Sequence, residues 1–416
     1  MNEPNTNWAG NIAYAAARVH EPQAIAELQA IVRHAGKVRA LGSRHSFNRI
    51  ADTDGDLVSV RHLNRVVGLN ETARTVTVEG GITYGELCPM LQKSGFAIHN
   101  LASLPHIGVV GATATATHGS GNKNRNLASA VAGLKIVTAT GDIVEIKRGD
   151  ADFEGAVVNL GALGIVAEVT LDIQPAFDVR QNLYTDLPVS SFIDNFEAIS
   201  GAAYSVSFFT LWQGDTIQQL WLKTLADAPE APKGEFFGAR AATRPWHPIS
   251  SIDPAPCTEQ MGVPGPAYLR LPHFRMEFTP SAGEELQSEY FVARRDAVAA
   301  FKALHSIQHV IAPHLLVSEI RTMAPDDLWM SPNYREDCVA FHFTCKPDWQ
   351  AAQQMLPRIE AALAPFAVRP HWGKLFTMPA TAIQPHYPRL ADFQRLVQDL
   401  DPTGKFRNAF IDDYIF

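Results

Sequence analysis

The sequence lacks the long apolar runs and the excess of basic charge that mark several classes of protein. No segment approaches the roughly 20 consecutive apolar residues that a membrane helix needs. Its 35 lysine and arginine residues stand against 43 aspartate and glutamate residues, which gives a net charge of −8 at pH 7. An acidic balance disfavours binding to nucleic acid and to anionic lipid. We therefore expect neither a nucleic acid nor a membrane among the main partners of this chain.

Cysteine and metal-binding motifs are also scarce. The four cysteines, Cys88, Cys257, Cys338 and Cys345, form no C-x-x-C pair, and the fifteen histidines include no H-E-x-x-H, so no metal site is expected. Four cysteines can still form disulfides, and their number leaves the cellular compartment open. The polar segment Met1–Trp8 has neither the basic nor the apolar region of a signal peptide. We expect a cytoplasmic, monomeric protein with reduced thiols.

What is present is the composition of a folded protein. The chain has 416 residues, of which 46% are hydrophobic, and this length suggests two or three structural units. Predicted elements include the strand Thr75–Glu79 and the helices Tyr84–Ser94 and Leu390–Leu400. Helix-like and strand-like segments alternate up to residue 175, after which aromatic residues become concentrated. We predict an α+β protein with domains at 1–175 and 176–370 and a C-terminal segment at 371–416.

Two segments of small residues in the first domain suggest a site for a large phosphate-bearing cofactor. Gly42–Ser46 (Gly-Ser-Arg-His-Ser) follows a predicted strand at Lys37–Leu41, and Gly108–Gly121 is rich in Gly, Ala and Thr. Outward-pointing backbone N–H groups suit a pyrophosphate, and small residues let a backbone approach a flat ligand closely. The alternatives are an ordinary polar turn for the first segment and a tightly packed, partly irregular pair of strands for the second. Two such segments in one domain favour the cofactor.

Polar and apolar side chains alternate along two short strands predicted in the second domain, at Leu315–Thr322 and Val339–Cys345. Side chains two residues apart in a strand project to the same face. If the two strands are neighbours, one face of the sheet carries Glu319, Arg321, His342 and Thr344. Such a face is either a wetted surface or a binding site for a polyol, and the pattern alone leaves both interpretations open.

The order of these motifs resembles the FAD-binding fold of the vanillyl-alcohol-oxidase superfamily. Typical of its flavin domain are Gly-Ser-Arg-His-Ser after a strand, the Gly108–Gly121 segment, and Leu-Gly-Ala-Leu-Gly-Ile-Val at Leu160–Val166. Typical of its sugar-related branch are His-Trp-Gly-Lys at His371–Lys374 and Asp-Pro-x-x-x-Phe at Asp401–Phe406. Within that branch the chain is most similar to the alditol oxidases, over nearly its whole length. The resemblance implies a two-domain α+β fold: an FAD-binding first domain, a substrate domain built on an antiparallel sheet, and a C-terminal segment that returns to the flavin.

The resemblance also implies which residues hold the cofactor. FAD would be attached covalently to His45, a residue that without its neighbours would be interpreted as a solvated loop histidine. No cysteine lies between Cys88 and Cys257, so no second link through a cysteine is expected. The implied cofactor-binding residues are Ala40, Leu41, Gly42, Ser43, Arg44, His45, Ser46, Ser103, Gly108, Gly111, Thr115, Ala116, Thr117, His118, Val166 and His371.

The implied reaction is oxidation of the C1 hydroxyl of an alditol such as xylitol, sorbitol or glycerol to the aldose. Hydride would pass to flavin N5, and O₂ would reoxidise the flavin to give H₂O₂. The implied substrate-binding residues are Ser103, Glu319, Arg321, His342, Thr344 and Lys374. Arg321 and Lys374 would stabilise the developing alkoxide, and either His342 or a desolvated Lys374 would act as the base.

Three alternatives accompany this interpretation. An aldonolactone oxidase or dehydrogenase shares the fold, but a lactone ring needs fewer hydroxyl contacts than the dense polar set offers. A non-catalytic nucleotide-binding protein would be colourless and would not need Arg321, His342 and Lys374 to converge. An electron acceptor other than O₂ stays open.

Overall fold

The computed structural model describes residues 6–278 and 284–416, so Met1–Asn5 of the polar N-terminal segment lie outside the described residues. Its strands are β1 (Arg18–His20), β2 (Val38–Leu41), β3 (Asp56–Ser59), β4 (Val66–Asn70), β5 (Thr75–Glu79), β6 (Phe96–Ala97), β7 (Val131–Val137), β8 (Ile143–Lys147), β9 (Ile165–Asp172), β10 (Gln174–Pro175), β11 (Asp178–Pro188), β12 (Ser205–Thr210), β13 (Thr216–Leu225), β14 (Glu235–Phe236), β15 (Ala239–Ala241), β16 (Gly265–Pro266), β17 (Leu286–Ala293), β18 (Leu315–Met323), β19 (Cys338–Cys345) and β20 (Arg369–Pro370). Its α-helices are α1 (Ile25–His34), α2 (Tyr84–Lys93), α3 (Val109–Ala114), α4 (Phe153–Val157), α5 (Val189–Ser200), α6 (Ala297–Ser306), α7 (Gln308–Ile311), α8 (Trp349–Leu363), α9 (Ala380–Ile383), α10 (Leu390–Leu400) and α11 (Ala409–Tyr414).

Three sheets lie in the N-terminal part of the described chain, one of them the short antiparallel pair of β6 and β10. Strands β1, β3 and β2 make a small parallel sheet, and β4, β5, β9, β7 and β8 make an antiparallel sheet in that order. In β5 threonine alternates with valine, and Val76 and Val78 are buried. The predicted strand Thr75–Glu79 is therefore confirmed, because one face of a half-buried strand is apolar.

A large antiparallel sheet forms the second part of the molecule. Its strand order is β14, β15, β11, β13, β12, β18, β19, β17 and β20, with β16 paired to β11. Strands β18 and β19 are neighbours, and Glu319 lies directly opposite His342. The expected pairing of the two polar strands is thus confirmed.

The two faces of this sheet differ in character. One face carries Phe208, Phe343 and Ile320 into the hydrophobic core, where rings from α5 and α6 pack against it, among them Phe192 and Phe301. Alternation in the strands sends the polar residues to the other face. The core thus lies on one side of the sheet, and a polar face is held rigidly on the other.

The structure of Gly108–Gly121 contradicts one of the two interpretations of this segment. It is not a pair of strands: the short helix α3 (Val109–Ala114) opens it, and a loop without regular structure follows. Small side chains at these positions permit tight helical packing, and Val109 and Ala112 are buried. The interpretation as packed strands is therefore wrong.

Other expectations concern the whole chain. Within the described ranges all four cysteines are buried and free, and none of the helices has the length and apolar composition needed to cross a bilayer. Strands β4 to β9 precede residue 175, and β11 to β20 lie between residues 178 and 370. The domain boundaries at 175 and 370 remain predictions.

Candidate active site

A cavity lies between the loops of the N-terminal part and the polar face of the large sheet. All six predicted substrate-binding residues line it. Every predicted cofactor-binding residue lines it as well, with the exception of Ala116. Ala116 is fully buried and has a left-handed backbone with φ +54°, so its backbone shapes the loop while its side chain packs inward.

The first wall of the cavity is the segment Gly42–Ser46, which follows strand β2. Ser43 Oγ accepts a hydrogen bond from the backbone N–H of Gly108 at 3.0 Å, so the two small-residue segments are joined. A side chain at Gly42 or Gly111 would meet no atom within 4 Å and would stand in open space. Arg44 holds the left-handed conformation, with φ +65°. The glycines thus keep the wall open for a ligand.

His45 presents its ring to this cavity and stacks on Trp8, with ring centroids 5.1 Å apart. Burial, together with smaller effects of the neighbouring His106 and Lys374, lowers the pKa of His45 to about 3. The imidazole is therefore neutral at pH 7 and keeps a lone pair on one ring nitrogen. Such a nitrogen is a nucleophile.

A buried arginine supports the back of this wall. Arg39 donates from Nη1 to the carbonyls of Gly161 and Phe406, each at 2.8 Å, and from Nη2 to the carbonyls of Leu160 and Ile50. Burial lowers the pKa of the guanidinium to about 10, against the opposing effect of Asp401. Arg39 stays charged at neutral pH and ties together segments that are distant in the chain.

The second wall is the polar face of the large sheet, where Glu319, Arg321, His342 and Thr344 are all at most 8% exposed. The interpretation of this face as a wetted surface is therefore wrong. His342 on β19 lies between Glu319 on β18 and Glu289 on β17, each directly opposite in register. Buried carboxylates need matched donors, and this face supplies them.

Arg321 is held by three oxygen-bearing side chains. Its Nη2 donates to Glu289 Oε1 at 3.0 Å and its Nη1 to Ser103 Oγ at 3.3 Å, while Nε lies 3.6 Å from Glu319 Oε2. Burial lowers the pKa of Arg321, but the two carboxylates outweigh it and raise the pKa above its usual value. Nε is buried and has no hydrogen-bond partner in the described chain. The oxygen beside it is Glu319 Oε2, with which Nε forms an ion pair longer than a hydrogen bond.

Glu289 also receives a histidine from the cofactor side. His118 Nε2 lies 3.1 Å from Glu289 Oε1, and His118 Nδ1 lies 2.8 Å from the carbonyl of Gly119. Both of these partner oxygens are hydrogen-bond acceptors. His118, Arg321 and His342 outweigh the effect of burial and hold the pKa of Glu289 well below its usual value.

Gln287 contacts both His342 and Lys374, and its amide oxygen determines which ring nitrogen of His342 carries the proton. Its Oε1 accepts from Lys374 Nζ and lies 3.2 Å from His342 Nε2. An amide oxygen only accepts, so His342 carries its proton on Nε2 and a lone pair on Nδ1. Nδ1 has no hydrogen-bond partner among the described residues, and the ring lines the cavity.

The two basic groups of this pair differ in their titration. Burial lowers the pKa of His342 to about 3 and that of Lys374 to about 8. For Lys374, Glu289 opposes the effect of burial and Arg321 adds to it. At pH 7 His342 is therefore neutral, while Lys374 is mostly an ammonium ion.

Sequence reasoning missed Gln287, Glu289 and His273, all of which line the cavity. The first two lie two residues apart in β17 and so share one face of that strand, a spacing that could have suggested them. His273 lies in an irregular stretch before residue 278, where no periodicity exists to reveal it.

The first wall fits a flavin by the chemistry of its residues. It is built from glycine and small residues around a neutral histidine, and the Arg321 side chain lines the opposite wall of the cavity. Close approach to a flat, phosphate-bearing ligand needs such a backbone. Gly42–Ser46, Gly108–Thr117 and the backbone near Val166 would hold the group.

Two sequence families match separate parts of the chain. The family described as FAD binding domain matches residues 16–147. The family described as D-arabinono-1,4-lactone oxidase matches residues 284–414.

Individual relatives extend over the whole chain. Alditol oxidase from a Streptomyces species is 47% identical over 418 residues, covering 100% of both chains. L-gulono-1,4-lactone dehydrogenase from Mycobacterium tuberculosis is 28% identical and covers 97% of each chain. L-gulonolactone oxidase from Mus musculus is 24% identical, covering 99% of this chain and 98% of its own.

Solved structures show a similar fold. A solvent-stable cholesterol oxidase has a TM-score of 0.79 at 17% identity and covers 99% of this chain and 97% of its own. Cholesterol oxidase from B. sterolicum has a TM-score of 0.78 at 14% identity, with 99% and 96% covered. Together with the FAD-binding family match, the likeness confirms the predicted α+β fold of the vanillyl-alcohol-oxidase type.

Proposed function

Because the chain belongs to the alditol oxidase family of FAD-linked oxidases, we propose that it oxidises the C1 hydroxyl of alditols such as xylitol, sorbitol or glycerol to the aldose, with O₂ as the electron acceptor. The observation that carries this proposal is the buried polar face at Glu319, Arg321, His342 and Thr344. This face lies across one cavity from the flavin-type wall.

FAD, when bound, supplies the redox chemistry: it takes the hydride equivalent from the alcohol carbon and passes two electrons to O₂, which becomes H₂O₂. His45 would hold it covalently, an assignment supported by its neutral ring at the cavity wall. The absence of a cysteine between Cys88 and Cys257 favours a single link.

The polar face matches the donor and acceptor pattern of a polyol. Every hydroxyl of an open chain both donates and accepts, and an unmatched buried polar group costs about 1–3 kcal/mol. The Glu319 carboxylate accepts hydrogen bonds from hydroxyl groups, whereas Arg321 and Lys374 donate hydrogen bonds to them. The hydroxyls of Ser103 and Thr344 can do either. A site with this pattern selects hydroxyl-rich, uncharged chains.

The proton of the C1 hydroxyl passes to His342 in this proposal. His342 Nδ1 carries a lone pair and is free of protein partners in the described chain, whereas Lys374 is an ammonium ion that donates to Gln287. Arg321 and Lys374, which both line the cavity, then stabilise the oxygen as it becomes an alkoxide. Arg321, Lys374 and His342 are the proposed catalytic residues.

A visible spectrum of the purified protein tests the cofactor assignment. We expect a yellow protein whose colour stays with the precipitate after acid treatment, and a His45→Ala variant whose colour moves to the supernatant. Release of the colour from the wild-type precipitate would show that the flavin is bound but not covalently linked. A colourless protein that FAD cannot reconstitute would overturn the proposal.

Anaerobic bleaching of the flavin colour tests the substrate. We expect xylitol or sorbitol to bleach it and an aldonolactone to leave it unchanged. The match of residues 284–414 to the D-arabinono-1,4-lactone oxidase family favours a lactone oxidase as the second candidate. Bleaching by the lactone alone would establish that candidate. The cytoplasmic location and the monomeric state remain predictions from the sequence.

A further inference from the structure

Two buried residues behind Glu319 extend the polar site. Lys223 on β13 is 1% exposed, and its Nζ lies 3.0 Å from Nδ1 of His273. His273 is 5% exposed, and its Nε2 lies 2.8 Å from Glu319 Oε1. His273 and Glu319 line the cavity, whereas Lys223 stands one residue behind them.

The surroundings of Lys223 match an ammonium ion. Besides His273 Nδ1, the Nζ donates to the backbone carbonyls of Leu271 and Pro272. An ammonium has three N–H donors and no lone pair, and here it meets three acceptors. A neutral amine would leave one of these acceptors without a hydrogen.

This donor pattern decides which nitrogen of His273 carries its proton. Burial lowers the pKa of His273 to about 4, with Lys223 acting in the same direction and Glu319 opposing it. The ring is therefore neutral near pH 7 and has one N–H. Since Nδ1 accepts from Lys223, that N–H lies on Nε2 and points at the Glu319 carboxylate.

We propose that Lys223 is a positioning residue for substrate recognition. It fixes His273 in the Nε2–H tautomer, and His273 then holds one carboxylate oxygen of Glu319 so that the other is presented to a substrate hydroxyl. The other tautomer would place a ring lone pair against a carboxylate and push Glu319 out of position. This inference rests on the proposed function for its substrate, an open-chain polyol.

The first test reads the tautomer directly. The holoenzyme is labelled with ¹⁵N-histidine, and proton–nitrogen correlation spectra are recorded near pH 6, where Lys223 (pKa lowered by burial to about 7) is protonated and His273 is neutral. The His273 signals are assigned by their loss in His273→Gln. We expect the ring proton on Nε2 in the wild type. A proton on Nδ1 overturns the inference.

The second test separates substrate binding from turnover in Lys223→Met. A charge-assisted hydrogen bond that orients a binding group corresponds to roughly a 10- to 100-fold change in affinity. We expect KM for xylitol to rise by about that factor, with kcat nearly unchanged and the ¹⁵N signals of His273 no longer showing a single Nε2–H form. An unchanged KM overturns the inference.

Gln181→Met is the matched control. Gln181 lies directly opposite Lys223 in the β11–β13 pair, is fully buried, and donates to the carbonyls of Thr258 and Glu259. It makes no hydrogen bond to His273. We expect it to lose stability as Lys223→Met does, and to keep the wild-type KM. A KM that rises equally in both variants would assign Lys223 a merely structural role and overturn the proposal.

His273→Gln provides the rescue. An amide always carries an N–H donor and needs no partner to select a tautomer. We therefore expect Lys223→Met to raise KM much less in the His273→Gln background than in the wild type; an equal rise contradicts the inference. The tautomer measurement needs no substrate. A protein that oxidises no alditol therefore refutes the proposed function without deciding the inference about Lys223. The wild-type spectra decide that inference even where Lys223→Met does not fold.

Discussion

At the scale of single residues, each of the two carboxylates in the buried site contacts both Arg321 and a histidine. Glu289 receives Arg321 and His118, and Glu319 receives His273 and lies beside Arg321. A lone buried carboxylate is strongly unfavourable, whereas one that is paired and hydrogen-bonded stays ionised. These contacts leave donors and lone pairs at fixed places, which is what a polyol site requires.

The pH profile of kcat/KM distinguishes the two roles that Lys374 can have. Burial lowers the pKa of Lys374 to about 8, so it carries its proton at pH 7 and loses it as the pH rises through that value. A proton donor to the alkoxide loses its effect on deprotonation, so we expect kcat/KM to be level from pH 5 to 7 and to fall above pH 8. Stopped-flow reduction of the flavin over this range measures it.

Lys374→Arg is the control for this profile. An arginine keeps its charge throughout the range, so the alkaline fall should move to higher pH or vanish, at a lower plateau. A kcat/KM that instead increases through pH 8 in the wild type would make Lys374 the base and His342 a bystander.

The residues of the site divide by how much of them the sequence could predict. Glu319, Arg321, His342 and Thr344 follow from a period of two in adjacent strands, and local alternation suffices for them. Glu289 follows the same period, but its approach to His342 depends on the order of strands in the sheet. Lys223 and His273 meet only because an irregular loop packs across β13, and no local pattern encodes that contact.

At the scale of elements, the helices and strands that local patterns predicted are present in the structure. Helix α2 begins at a capping box: Thr83 Oγ1 accepts from the Glu86 backbone N–H at 3.2 Å, and the Glu86 carboxylate accepts from the Thr83 backbone N–H at 2.8 Å. The predicted helices Tyr84–Ser94 and Leu390–Leu400 are confirmed to within a residue. Gly108–Gly121 resisted prediction because small residues suit tight packing in more than one backbone form.

Removing the cap of α2 should loosen its first turn and little else. Replacing an N-cap threonine by alanine costs about 1 kcal/mol. In Thr83→Ala we expect amide hydrogen exchange over residues 84–87 to accelerate roughly fivefold, as that free energy implies for local opening. Lys93→Ala, at the exposed far end of the same helix, should leave these amides unchanged. Equal exchange in Thr83→Ala and wild type would show that tertiary contacts alone hold the turn.

At the scale of the whole molecule, the C-terminal segment completes the wall of the cavity. The Phe406 carbonyl accepts from Arg39, and the Gly373 carbonyl accepts from the Phe47 backbone N–H at 2.8 Å. Asn48 donates to the carbonyls of Trp372 and Lys374. The Asp401 carboxylate accepts from the backbone N–H groups of residues 405 and 406, so the Asp-Pro-x-x-x-Phe motif shapes the turn that offers its carbonyl to Arg39.

Loss of the Arg39 side chain should therefore destabilise the molecule and its flavin site together. Arg39→Met removes the donor from the carbonyls of Leu160, Gly161 and Phe406, and each buried carbonyl without a donor costs about 1–3 kcal/mol. We expect a fall of about 3 kcal/mol or more in the free energy of unfolding, together with weaker retention of FAD, measured by urea unfolding and by absorbance after gel filtration.

Arg61→Met is the comparison for this variant. Arg61 pairs with Glu21, but the two side chains are 63% and 37% exposed, and such surface pairs contribute little. Wild-type stability in Arg39→Met, or a similar loss in both variants, would contradict the role given to Arg39.

The hydrogen bond from Arg39 to Phe406 joins residues 367 positions apart. A ribosome makes the loop Gly42–Ser46 early and the turn at Asp401–Phe406 only hundreds of peptide bonds later. During most of synthesis, Arg39, which supports this loop, therefore lacks the Phe406 carbonyl as a partner. We therefore expect FAD to bind only after the C-terminal segment has been translated. A chain truncated before Asp401–Phe406 should bind no FAD, even where its first sheets fold.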